Sequence, residues 1–150
     1  MSADNNPEVN RLRVLCVDDE ELVLDVIQGI LATRGIFEVV RESQARHALE
    51  RLDNGEQFEL LISDLNMPGM DGIEFLRHLA AREFAGGIAI ISGVERRTLD
   101  VVDSLARAHN LNFLGALQKP ITGDSIRKLM DDFQRFASAS AIGGAAEVVH

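Results

Sequence analysis

Short apolar runs alternate with segments of helical period along most of the chain. Val14–Val17 is apolar throughout and ends on Asp18 and Asp19, the pattern of a strand buried on both faces. Leu22, Val23, Val26, Ile27, Ile30 and Leu31 then recur at helical spacing, and Gly35 closes the segment. Phe37–Val40 reads as a second strand and Ala45–Leu52 as a short helix, stopped by the turn signal Asp53-Asn54-Gly55. Phe58–Ser63 is a third strand that delivers Asp64 at its C-terminal end. After a loop rich in turn residues from Asn66 to Gly72, Ile73, Leu76, Leu79 and Ala80 mark a third helix. Ile88–Ile91 is a fourth strand ending at Ser92-Gly93, and Leu99, Val102, Leu105 and Ala106 stripe a fourth helix. Phe113–Leu117 has the weakest strand pattern, because Gly115 interrupts it. Ile126, Leu129, Met130, Phe133 and Phe136 give a strongly amphipathic last helix.

A succession of β-then-α units predicts an α/β fold on a parallel sheet, since parallel strands need crossover connections. Residues 1–10 read as a disordered lead and residues 11–137 as the folded domain. Residues 138–150, small and poor in charge, read as a tail or linker, a frayed helix end included.

At 150 residues the chain fits one domain with a real core, and its 46% hydrophobic content is that of an ordinary globular protein. No stretch approaches the ~18 apolar residues of a membrane span, and the polar N-terminus lacks the pattern of a secretory signal. Both features predict a cytoplasmic protein. A net charge of −9 argues against nonspecific binding to nucleic acid or to anionic membrane. Without Trp or Tyr the chain has few residues on which bases could stack. Its one cysteine, Cys16, excludes an internal disulfide and reads as a buried structural thiol.

Candidate chemistry collects at strand ends. In an open parallel sheet, ligands bind beyond the carboxyl ends of the strands. Asp18 and Asp19 follow the first strand, Asp64 the third, Ser92 the fourth and Lys119 the fifth. Each has an ordinary explanation alone. Acids at a helix start favour its dipole, and single Asp and Ser residues are common turn formers. Their coincidence at four strand ends is what points to a site. Clustered carboxylates repel unless a cation is present, and a hard ion with oxygen ligands such as Mg²⁺ fits that need. A carboxylate there can attack phosphorus, with Lys119 and Ser92 offering charge and a hydroxyl donor to the phosphoryl oxygens.

The residues that carry this pattern are VLCVDDE (Val14–Glu20), LLISDLNMPGMDGIEFL (Leu60–Leu76), ISG (Ile91–Gly93) and QKP (Gln118–Pro120). In them the chain resembles the receiver domains of bacterial response regulators, over roughly Arg11 to Ala137. The resemblance implies a flavodoxin-like fold, a doubly wound five-stranded parallel sheet of order 2-1-3-4-5 with five helices. It implies that Asp64 is the phosphoacceptor and that Asp18, Asp19, Asp64 and the backbone carbonyl of Asn66 bind Mg²⁺, with Mn²⁺ an alternative. Ser92 stands at the switch hydroxyl position, Lys119 at the phosphoryl-binding lysine, and the bond to Pro120 is expected to be cis. The implied partners are a sensor histidine kinase or phosphotransfer protein as donor, and an output domain or target protein. The resemblance also allows a homodimer through the fourth helix, fifth strand and fifth helix.

The chain departs from the family where most members carry an aromatic residue three positions before the lysine; here that residue is Ala116. Strand alternation would put Phe113 on the face opposite Ala116. The stretch from Asn112 to Pro120 resembles receivers attached to cyclic-di-GMP phosphodiesterase (EAL-type) domains. A Mg²⁺-dependent phosphatase of the haloacid dehalogenase type would need an acid pair spaced D-x-D at the first strand; here Asp18 and Asp19 are adjacent and residue 20 is Glu. A receiver-like interaction module without phosphorylation would be expected to lack one of the site residues, and none is missing. No glycine-rich phosphate loop follows the first strand, so a nucleotide-binding domain fits poorly.

Overall fold

The computed structural model describes residues 12–93 and 96–149. The lead expected over residues 1–10 lies outside the described residues. Strands β1 (Arg13–Val17), β2 (Glu38–Glu42), β3 (Leu60–Asp64), β4 (Gly87–Ser92) and β5 (Asn112–Gln118) alternate with helices α1 (Glu21–Thr33), α2 (Ala45–Asp53), α3 (Gly72–Ala81), α4 (Arg96–Ala108) and α5 (Gly123–Val149). The sheet has the order β2-β1-β3-β4-β5, and every pairing is parallel. This is the doubly wound order that the resemblance to receivers implies.

Strand alternation explains the two layers of helix. Leu15, Val17, Leu61, Ile88 and Ile90 point to one face, where they meet Ala48 and Leu49 of α2, Phe75, Leu76 and Leu79 of α3, and Val102 and Ala106 of α4. Val14, Cys16, Leu60, Ile62, Ala89 and Ile91 point to the other, against Leu24, Ile27 and Leu31 of α1 and Ile126, Leu129, Met130 and Phe133 of α5. The central strands are buried on both sides, so their sequences read as continuous apolar runs. No described helix is long and apolar enough to cross a membrane.

Three details differ from the sequence expectation. Leu22 and Val26 of α1 are exposed at 73% and 37%, and Leu24 takes the core position instead. Apolar residues occupy most of the circumference of this helix, so periodicity alone does not select the buried stripe. Phe37 is 73% exposed and precedes β2, which runs instead to Glu42.

The third difference is a β-bulge in β5. Ile88 pairs with Phe113, but Ala89 pairs with Gly115, so Leu114 is the extra residue, and Gly115 adopts φ +139°. Ala116 then pairs with Ile90, on the same face as Ile88. Phe113 and Ala116 therefore share the face toward α2–α4, and simple alternation placed them wrongly. Phe113 packs against that core while Leu114 packs against the other.

α5 continues as helix to Val149, beyond residue 137. Phe136 and Ala137 are its last described side chains that join the core.

Candidate functional site

The C-terminal ends of β1, β3, β4 and β5 bring the predicted residues to one edge of the sheet. Asp18 follows β1, Asp64 ends β3, Ser92 ends β4 and Lys119 follows β5. One carboxylate oxygen from each of Asp18, Asp19 and Asp64 lies within 4.8 Å of the others. Asp18 and Asp64 are buried and Asp19 is exposed. Lys119 Nζ stands 3.9 Å from Asp64 Oδ2, and its backbone N–H donates to the Ser92 carbonyl at 3.2 Å. The Lys119–Pro120 peptide bond is cis.

Local hydrogen bonds hold the acids in place. Asp18 Oδ1 accepts from the Glu20 N–H at 2.8 Å, and Asp64 Oδ1 accepts from the Asn66 N–H at 3.2 Å. The loop after Asp64 folds back through the Gly72 N–H, which donates to the Leu65 carbonyl at 2.7 Å. A β-carbon at Gly72 would lie 2.8 Å from that oxygen, so only glycine fits this closure. Asp71 then caps α3 by accepting from the Glu74 N–H at 2.8 Å.

Two buried polar atoms have no hydrogen-bond partner among the described residues, Asp18 Oδ2 and Ser92 Oγ. Buried polar atoms are seldom left so without a functional reason. Because β3 lies between β1 and β4, these atoms flank Asp64 from the two sides.

The electrostatics follow from burial and crowding. Burial pushes the Asp18 carboxyl from 3.8 up to about 6; the Glu20 N–H opposes the rise, and the neighbouring Asp64 charge adds to it. Burial raises Asp64 as well, with the Asn66 N–H and the Lys119 charge holding it back. For Lys119, burial works against the ammonium, but the Glu20 hydrogen bond and the charges of Asp64 and Asp18 outweigh it and raise its pKa. Two carboxylates that resist ionisation beside an exposed third are suited to a hard cation with oxygen ligands, and the unpartnered Asp18 Oδ2 is free to be one of them.

Glu20 is the contact that sequence reasoning missed. Its Oε1 accepts a hydrogen bond from Lys119 Nζ at 2.9 Å, closer than any approach of that ammonium to Asp64. In the run Asp18-Asp19-Glu20-Glu21 the third acid reads as a helix-dipole residue, and nothing in the sequence ties it to a lysine 99 positions away.

A family model described as the response regulator receiver domain matches residues 14–131. The chain belongs to that family. Receivers of two-component response regulators are signalling modules, in some proteins N-terminal to output domains, and the family binds Mg²⁺ at an acidic pocket of the kind that Asp18, Asp19 and Asp64 form here. This receiver is 28% identical over 153 residues to the cyclic di-GMP phosphodiesterase RocR of Pseudomonas aeruginosa, covering 94% of this chain and 38% of RocR. The chain thus spans well under half the length of that relative. It is also 28% identical to the chemotaxis protein CheY of the same organism, over 80% of this chain and 94% of CheY. Among solved structures, a response regulator from Colwellia psychrerythraea superposes with a TM-score of 0.67 at 30% identity, covering 83% of this receiver and 98% of that chain.

Proposed function

We propose that this receiver accepts a phosphoryl group on Asp64 from the phosphohistidine of a sensor kinase or phosphotransfer protein. An Asp64 carboxylate oxygen forms the new bond to phosphorus while the phosphorus–nitrogen bond of the donor breaks, and its electron pair leaves on the imidazole. The protein's part in such a transfer is positioning and charge neutralisation. Lys119 pairs with one phosphoryl oxygen, and the Ser92 hydroxyl donates to another. Asp18, Asp19 and Asp64, with the Asn66 backbone carbonyl, would hold Mg²⁺, or Mn²⁺ in its place. Bound there, the ion would offset the charge of the acids and of the arriving phosphate.

The observation that supports this reading best is the pair of unpartnered buried atoms on either side of Asp64. Asp18 Oδ2 is a free acceptor suited to a cation, and Ser92 Oγ is a free donor suited to a phosphoryl oxygen. Incubation with acetyl phosphate and Mg²⁺ is expected to add one phosphoryl group, and Asp64→Asn to abolish the addition. Wild-type protein that stays unmodified, read by intact mass, overturns the assignment.

The output is a shift between two conformations rather than turnover of a substrate. Converting a mostly inactive population to a mostly active one takes ~5.5 kcal/mol, whereas one charge-assisted hydrogen bond gives ~1.5–3 kcal/mol. Ser92 therefore acts together with Lys119, and a metal held by Asp18, Asp19 and Asp64 would supply further charge neutralisation. The likeness to RocR over nearly the whole chain favours residues 11–137 as the receiver of a multidomain regulator with an EAL-type output, reached through residues 138–150. Full-length gene sequence tests that arrangement directly; a stand-alone receiver acting on a target protein is the outcome that replaces it. A homodimer through α4, β5 and α5 is compatible with either.

A further inference from the structure

Glu20 is the N-cap residue of α1, yet its side chain makes no capping hydrogen bond. Glutamate is not a favoured cap, and the usual reason for an acid there is to accept helix N–H groups. Here the carboxylate turns instead to Lys119 Nζ, at 2.9 Å. Both ends of the pair are anchored in the site: the Glu20 N–H donates to Asp18 Oδ1, and the Lys119 N–H to the Ser92 carbonyl. Drawn toward Glu20, the ammonium stands 3.9 Å from Asp64 Oδ2, outside hydrogen-bond range.

We propose that Glu20 is a positioning residue that latches Lys119 away from Asp64 in the unphosphorylated state, so that a phosphoryl group on Asp64 must take the ammonium from Glu20. The inference rests on Asp64 being the phosphoacceptor. Two effects act in the same direction. The latch occupies the cation that the phosphoryl oxygens need, and the Glu20 carboxylate adds a negative charge that repels them. Removing Glu20 favours the phosphorylated state on both counts. The pair is half-exposed, with side-chain accessibilities of 35% for Lys119 and 58% for Glu20, so the gain is modest.

The variants Glu20→Gln and Glu20→Asp separate a latch from a charge acting through space. Gln removes the charge; Asp keeps it but is one methylene too short for the contact. In the whole chain labelled with [¹⁵N]lysine, the Lys119 ammonium protons, identified by their loss in Lys119→Arg, should exchange slowly in the wild type and fast in both variants. With acetyl phosphate and Mg²⁺, both variants should phosphorylate faster than wild type, by about two- to five-fold. Unprotected Lys119 protons in the wild type overturn the latch, as does a phosphorylation rate unchanged in Glu20→Gln. A fast Gln variant beside an Asp variant at wild-type rate also overturns it, assigning the effect to charge alone. Wild type with protected Lys119 protons that takes no phosphate defeats the phosphoacceptor reading, and leaves the pair an ordinary ion pair. Unchanged circular dichroism in both variants confirms that the fold is intact.

Discussion

Asp18→Asn in the metal-free protein is expected to increase stability, although it removes a residue of the site. Asp18 is fully buried, and its carboxyl is raised from 3.8 to about 6, chiefly by burial. The native state therefore disfavours the charged form. At 1.36 kcal/mol per tenfold change, a rise of that size corresponds to roughly 2–3 kcal/mol held against the fold above pH 7. Asparagine removes this cost, because its carbonyl can keep the Glu20 N–H bond and its amide can donate toward the neighbouring carboxylates in place of the unpartnered Oδ2. The sign with pH follows from a folded pKa above the unfolded one. Between about 4 and 6 the native wild type binds more protons than the unfolded chain, so this carboxyl makes stability rise as pH falls. The advantage of Asp18→Asn should be full at pH 7.5, shrink through pH 6 and vanish near pH 4. Urea titrations in chelator at a series of pH values measure it. Adding Mg²⁺ should reverse the order, since ligand binding stabilises the wild type by mass action and the variant far less. A variant less stable than wild type at pH 7.5 without metal, or an advantage that does not change with pH, would refute the reasoning.

Three other substitutions and probes test the frame around the site. Gly115→Ala should lose about 1–3 kcal/mol, because φ +139° suits only glycine while no neighbour lies within 4 Å of an added β-carbon; an unchanged urea midpoint would show that the backbone relaxes without cost. Asp71→Ala should cost about 1 kcal/mol through loss of the α3 cap, and Asp71→Asn much less; equal losses would mean that charge rather than capping matters. Cys16 is buried and its thiol is pushed up to about 12, so the native protein should resist iodoacetamide at pH 8 and react only once unfolded. Rapid alkylation of native protein would contradict the placement of Cys16 in the core.

The parallel sheet was legible because the central strands are buried on both faces and their apolar runs end on chemistry-bearing residues, whereas its strand order was implied by the resemblance to receivers. The amino acids at those ends, Asp18, Asp64, Ser92 and Lys119, could be placed at one edge from topology alone, and the structure gathers them there. What the sequence hid was of two kinds. On α1, Leu22, Leu24 and Val26 are all apolar, and only which side of the helix rests on the sheet decides that Leu24 is buried. The Glu20–Lys119 pair joins the segments that follow β1 and β5, so it exists only once β3 and β4 have assembled between those strands. Local propensity carries no trace of such a contact.

The bulge in β5 has a reach that its position conceals. In a strand of strict alternation, Phe113, Leu117 and Lys119 would all leave the sheet on one side. Inserting Leu114 moves everything after it half a period out of step, so Phe113 stays with the α2–α4 core while Leu117 joins that of α1 and α5. Lys119, two residues beyond Leu117, inherits the new phase and emerges where α1 begins, within reach of Glu20 and beside Asp64. Parity, more than distance along the chain, gives the ammonium its address. Were Leu114 to pair with Ala89 in place of Gly115, with no bulge, every site side chain would remain in the sequence and the lysine would go to the wrong side of the sheet.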